Sequence, residues 1–207
     1  MVSRPIEGIL LAAGESRRMG YPKPLLKIGG RTFLDCLSAA MLESVSRVVI
    51  VLGAYSERVR SEVPREILDD PRIVVVENAD YGRGQLSSLK TGLGRVHPDA
   101  AAVMVHLVDH PAVRATTFSR LVAQYRRSAK PIVIARFGAR RGHPVIFDRA
   151  VFGELMDTPL DQGARAVVNA DPSRVDYLET DDPGITMDLD TPQDLERARL
   201  PLPPPSR

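Results

Sequence analysis

The sequence predicts a single α/β domain, a mostly parallel twisted sheet with helices on both faces. Short apolar, β-rich runs alternate with helical patterns along most of the chain. The runs are apolar throughout, as expected of strands buried on both sides. At 207 residues the chain suits one sizeable core. No internal repeat and no Gly, Ser or Pro-rich linker divides it, so the domain is expected over residues 1–200, followed by a loose proline-rich tail at 201–207.

In chain order, strands are predicted at Gly8–Ala12, Val48–Leu52, Ile73–Val76, Ala102–Val108, Ile132–Ala135 and Val145–Phe147. Helices are predicted between and after them, near Thr32–Leu42, Ser56–Val63, Gln85–Arg95, Thr116–Arg127, Arg149–Leu155 and Gly163–Asn169. A last helix starts at Thr191-Pro192, with threonine as N-cap, proline in the first turn, and Asp194 and Glu196 soon after.

Bulk properties narrow the function. Formal charge is only +2, with positive residues gathered in the first loop and around Arg136, Arg140 and Arg141. A nucleic-acid or membrane partner is therefore not expected. The one cysteine, Cys36, excludes an internal disulfide and a Cys-based metal cluster, and its apolar context reads as a buried core thiol. No secretory signal is read at the N-terminus, and no stretch reaches the roughly 18 apolar residues of a membrane span. A cytoplasmic location is the resulting expectation.

Open α/β sheets bind ligands beyond the carboxyl ends of their strands, and the chain carries chemistry there. The strand at Gly8–Ala12 runs into a loop with Gly14 and Gly20, Arg17 and Arg18, and Lys23. Glycine permits positive φ and close ligand approach, while backbone N–H groups at a loop-to-helix junction, backed by cations, suit a polyphosphate. The same loop could also be a solvated basic turn. No G-x-x-x-x-G-K-[ST] occurs, and Gly82-Arg-Gly84-Gln-Leu-Ser87 lacks the last glycine of the dinucleotide fingerprint, which disfavours an NAD-dependent oxidoreductase. Ala102–Val108 ends at Asp109, in Asp109-His110-Pro111. A strand-end carboxylate of this kind is either a cap or a ligand for a hard cation such as Mg²⁺, which takes one or two carboxylates and completes its shell with phosphate oxygens and water. His106, inside the strand, argues against a zinc site built with Asp109 and His110.

The first loop, Leu11-Ala12-Ala13-Gly14-Glu-Ser16-Arg-Arg18-Met-Gly20-Tyr-Pro-Lys23, resembles that of the MobA-like NTP transferases, within the nucleotide-diphospho-sugar transferase-like superfamily of Rossmann-like folds. Further matches follow in order: Tyr81–Leu93, with Gly82, Gln85, Ser87 and Ser88; Asp109-His110-Pro111, where the family usually has Gln in the middle; Arg141-Gly-His143-Pro; Asp161–Arg165; and Asp188-Leu-Asp190-Thr-Pro. The resemblance implies Mg²⁺ on Asp109 and Asp190. Arg18 and Lys23, grouped with Asp109 as catalytic residues, would neutralise the leaving pyrophosphate. Leu11, Ala12, Ala13, Gly14, Gly82, Gln85, Ser87 and Ser88 would bind the nucleotide. Arg141, His143 and Asp188 would serve the acceptor side, with Asp188 also a possible partner of the metal ligands. The implied reaction moves CMP from CTP onto Mo-molybdopterin and releases pyrophosphate, because Leu-Ala-Ala-Gly is similar to the cytidylyltransferase loop and Leu-Ala-Gly-Gly to the guanylyltransferase loop. A methyl at Ala13 would reduce the room for a purine. GTP, a sugar or alditol phosphate acceptor, and a non-catalytic molybdenum-cofactor-binding accessory role are the alternatives, and a client molybdoenzyme is a candidate partner.

Overall fold

The computed structural model describes residues 4–203. β1 (Ile6–Ala12) is followed by a loop, a single 3₁₀ turn (Lys23–Leu25), a small hairpin of β2 (Lys27–Ile28) and β3 (Arg31–Thr32), and α1 (Phe33–Leu42). Then come β4 (Val48–Leu52), α2 (Ser56–Glu62), α3 (Arg65–Leu68), β5 (Ile73–Glu77), α4 (Gln85–Leu93), β6 (Ala102–Leu107) and α5 (Ala115–Arg127). The second half holds β7 (Ile132–Phe137), β8 (Arg140–Asp148), α6 (Phe152–Asp157), α7 (Arg165–Ala170), β9 (Val175–Glu179) and α8 (Pro192–Arg197). Pro201–Pro203 have no regular structure, and the rest of the expected tail, residues 204–207, lies outside the described residues.

Seven strands form one sheet in the order β5-β4-β1-β6-β8-β7-β9. β8 alone runs against its neighbours, antiparallel to both β6 and β7, while the other pairings are parallel. Alternation along each strand divides the core in two. Ile6, Leu10, Val48, Ile50 and Leu52 join α1 and α5 on one face, and Ile9, Leu11, Val49 and Val51 join α4, α6 and α7 on the other. Both faces are covered, so β1 and β4 are buried along their whole length. That burial is why they read as unbroken apolar runs.

Five sequence expectations change. The glycine loop after β1 is not closed by a helix; only the 3₁₀ turn follows, and α1 begins at Phe33. Gly20 takes φ +68° as expected, but Ser16, at φ 50°, adopts the left-handed region that had been expected at Gly14. Ser16 is held there because its carbonyl accepts from the Met19 and Gly20 N–H groups and its hydroxyl from the Lys23 N–H. β9 was not predicted, because an edge strand reading Val-Asp-Tyr-Leu-Glu lacks the continuous apolar run used as the criterion. β8 starts five residues before the expected Val145, so Arg141 and His143 lie inside it. Cys36 is only partly buried.

The stretch from Asp182 to Asp190 has little regular structure but is fastened to the loop between β6 and α5. The Asp182 carboxylate accepts from the Arg114 N–H at 2.9 Å, the Thr117 hydroxyl at 2.6 Å and the Gly184 N–H at 3.0 Å. A Cβ at Gly184 would lie 2.4 Å from the Ala112 carbonyl oxygen, and one at Gly142 would lie 2.0 Å from that of Ile185. Further along, the Leu189 N–H donates to the Asp109 carbonyl at 2.9 Å. α8 then starts with a capping box in which Thr191 accepts from the Asp194 N–H and the Asp194 carboxylate accepts from the Thr191 N–H.

Gly142→Ala would push backbone against backbone, which no rotamer change relieves; overpacking of this kind costs about 1–3 kcal/mol. We expect the melting temperature to fall by several degrees in a calorimetric scan. Gly153→Ala, where a Cβ meets nothing within 4 Å in a helix, is the control and should be neutral or slightly stabilising.

Candidate active site

The carboxyl ends of β1 and β6 open onto a cavity of about 310 Å³. Leu11, Ala12, Ala13 and Gly14 form one wall, Gln85 and Ser88 of α4 another, and Lys23, Arg18, Asp109 and Asp190 its charged end. A Cβ on Gly14 would meet nothing within 4 Å, so its backbone faces open space. Ser16, Tyr81 and Gly84 also line the cavity. Ser16 and Gly84 stand inside the quoted motifs, and only their neighbours were singled out.

Lys23 is the centre of the charged end. Its side chain is 10% exposed, and Nζ lies 3.1 Å from Asp109 Oδ2 and 2.5 Å from Asp190 Oδ1. Arg18 donates to the other Asp190 oxygen at 2.8 Å. Burial pushes the Asp190 carboxyl up, but Lys23 and Arg18 together outweigh it and hold the group below its usual range. An ammonium so enclosed is tolerable only when paired, and the two carboxylates need it equally. Asp109 Oδ1 is buried and has no hydrogen-bond partner. Arg17, by contrast, turns outward to Glu15 and is spent there.

These residues fit a divalent cation. Two convergent carboxylates are hard oxygen donors, and the Asp109 oxygen without a partner is one ready to ligate. Among the described residues no group of three or more His, Cys, Asp or Glu side chains is placed to hold a metal. Phosphate oxygens and water would therefore complete the shell, as Mg²⁺ commonly requires.

Two residues expected to touch the nucleotide do not line this cavity. The Ser87 hydroxyl donates to the Asp80 and Gly84 carbonyls and accepts from Asn78 Nδ2, so it holds the turn ahead of α4. Gly82 lies in that turn, and Gly84, at φ +99°, takes the lining position instead. Asn78, 4% exposed, also donates to Ser88 at 3.0 Å. Nothing in its sequence context marked it.

A second cavity of about 680 Å³ adjoins the first and shares Leu11 and Gln85 with it. Its lining includes apolar Leu86, Leu89, Val105, Ile134, Val145 and Phe147, and polar Arg141, His143 and Asp161–Arg165. Arg141 reaches Asn169 Oδ1 at 3.2 Å and lies over the Tyr177 ring at 5.5 Å. His143 does not supply the charge an anionic group would want. Burial, reinforced by His110, lowers its pKa to about 4, and its Nδ1 faces the Val105 carbonyl at 3.4 Å. At neutral pH it offers a neutral ring, and Arg141 and Arg165 are the cations of this cavity.

Asp188 lines neither cavity. Its Oδ1 meets His110 Nε2 at 2.9 Å instead, because Leu189 is buried in the core and turns its two acidic neighbours away from it. His106 is fully buried in β6, and burial holds its pKa well below the ordinary histidine value. Its Nε2–H donates to the His110 carbonyl at 3.2 Å. No described helix is long and apolar enough to cross a membrane.

Comparison with known proteins agrees with this geometry. The MobA-like NTP transferase domain matches residues 8–175. Nicotine blue oxidoreductase of Paenarthrobacter nicotinovorans is 34% identical over 93% of this chain and 95% of its own length. Molybdenum cofactor cytidylyltransferase of Escherichia coli is 26% identical over 94% and 95%. The crystal structure of Rv0371c from Mycobacterium tuberculosis superposes with a TM-score of 0.80 at 32% identity, covering 94% of this chain and 97% of that one. A structure of the same protein in complex with manganese gives a TM-score of 0.72 at 30% identity over 95% and 98%. With residues 8–175 matched by the family, the chain belongs to the MobA-like NTP transferases and is a nucleotidyltransferase of that family.

Proposed function

We propose that the protein transfers CMP from CTP to the terminal phosphate of Mo-molybdopterin, forming the cytosine dinucleotide and releasing pyrophosphate, with Mg²⁺ as the metal. The observation that carries this reading is the pair of adjoining cavities. One ends in Lys23, Arg18, Asp109 and Asp190, and the other joins an apolar lining to Arg141. A triphosphate donor fits the first and a phosphorylated heterocycle the second.

An acceptor phosphate oxygen attacks the α-phosphorus, a new P–O bond forms, and the bond to the bridging oxygen of the β-phosphate breaks. All the reacting groups are anionic, so catalysis consists of positioning and charge neutralisation. Asp109 and Asp190 would hold Mg²⁺, which offsets phosphate charge when bound. Lys23, with Arg18 beside it, would supply the positive charge that the departing pyrophosphate needs. Gly14 lets the backbone come close to the triphosphate, and Gln85 at the shared wall faces donor and acceptor together. A 2-carboxylate, 2-cation cluster is neutral before substrate arrives, so it does not repel either anion.

The identity shared with nicotine blue oxidoreductase favours a second reading, an oxidoreductase. A thermal-shift comparison of the four NTPs with Mg²⁺ against NADH and NADPH separates the two. The transferase reading expects a shift selective for CTP, dependent on Mg²⁺ and lost in Asp109→Ala. A shift with a reduced nicotinamide cofactor and none with CTP would move the protein to the second reading.

In a pyrophosphate-release assay with CTP, Mg²⁺ and Mo-molybdopterin, Asp109→Ala should lose about 10²–10³ in kcat while remaining folded, the loss typical of removing one charge-stabilising group. Near-normal turnover would refute the assignment, and absence of release by wild type would favour an accessory carrier. Ala13 is a lining residue whose methyl packs beside Gly53, and Ala13→Gly removes that methyl. It should shift the kcat/KM preference from CTP toward GTP; an unchanged ratio would remove Ala13 from the specificity argument.

A further inference from the structure

Asp109 and Asp190 stand 81 positions apart in sequence, and the way they are held together involves a residue that faces neither cavity. His110, 5% exposed, follows Asp109 directly. Its Nε2 lies 2.9 Å from Asp188 Oδ1 and 3.8 Å from Asp109 Oδ1. Its Nδ1 has no partner, which fits a ring whose single N–H is spent on Asp188. Between these contacts the Leu189 N–H donates to the Asp109 carbonyl at 2.9 Å. The His110 carbonyl is held from behind by His106 Nε2 at 3.2 Å. His106, His110 and Asp188 thus form a chain from the sheet interior to the segment that carries Asp190.

We propose that His110 is a positioning residue that clasps Asp188 and so fixes the separation of the Asp109 and Asp190 carboxylates for a divalent cation. The inference rests on the metal reading of those two acids given above. Without the clasp, the Leu189–Asp109 backbone bond and the Lys23 bridge remain, but the segment loses its side-chain tie to His110, so the two carboxylates are held less tightly for a dication that must replace Lys23 between them. Metal affinity then falls, since partners that orient ligands typically contribute 10–100-fold to it.

The test is Mn²⁺ titration followed by electron paramagnetic resonance, which reports affinity without turnover. His110→Leu removes the donor from the buried side. Asp188→Ala removes the acceptor from the exposed side, with its side chain 60% exposed, and so decides the matter should the first variant misfold. His110→Gln keeps an N–H donor. We expect His110→Leu and Asp188→Ala to bind Mn²⁺ about 10–100-fold more weakly, and His110→Gln to stay near wild type. In turnover, the two weakened variants should need more Mg²⁺ yet recover kcat at saturation. Wild-type Mn²⁺ affinity in a folded Asp188→Ala protein would overturn the proposal. No Mn²⁺ binding by wild type, with or without CTP, would instead overturn the metal reading itself.

Discussion

The site depends on one constraint, the fastening of residues 182–190 to the loop that leaves β6. Several points of that segment are tied to the loop and the start of α5: Asp182 to Arg114 and Thr117, Gly184 to the backbone at Ala112, and Leu189 to the Asp109 carbonyl. The glycines at 142 and 184 matter because two pieces of backbone approach closer there than any Cβ would allow. Only with this register does Asp190 arrive opposite Asp109. The Lys23 ammonium then closes the arrangement, since two carboxylates so placed would otherwise repel and raise one another's pKa.

This arrangement shows how a small, nearly neutral protein gathers positive charge locally. Its net charge is +2, so long-range attraction is slight. The fold instead concentrates cations at the end of one cavity and around the rim of another. Arg141 gains from the Tyr177 face beneath it, and Arg136 lies over the same ring at 4.5 Å while also pairing with Glu179. Charge is supplied at these points of the two cavities and withheld at others. The neutral His143 belongs to the withheld part, because a buried imidazole beside another histidine is costly to protonate.

Much of the fold was legible because the chain writes it in buried periodicity. β4 runs from Val48 to Leu52 as read, and β1, β5 and β6 differ only at their ends. β9 was hidden because it lies at the sheet edge, where Asp176 and Tyr177 are only partly buried. β8 was read short because its first residues, Arg140 to His143, are polar and turned to a cavity or to solvent. Of the candidate site, the residues carried by the first loop, Asp109 and Asp190 come together in space. Ser87 and Gly82 were read as lining because they share a motif with Gln85, whereas the Ser87 hydroxyl is spent on the Asp80 and Gly84 carbonyls of the turn, and Ser88 lines the cavity. The contact between His110 and Asp188 was invisible to spacing, since it joins positions 78 apart.

The reversed direction of β8 has a consequence for how such a protein can diversify. A parallel strand delivers only its last residues to the ligand edge, but a strand running the other way delivers its first ones. Arg141 and His143 therefore reach the larger cavity from an element that contributes nothing to the triphosphate half. The two halves meet only at Leu11 and Gln85. Substitutions at the entrance of β8 would therefore change what the larger cavity can hold while leaving the residues of the smaller one, Lys23, Arg18, Asp109 and Asp190, untouched.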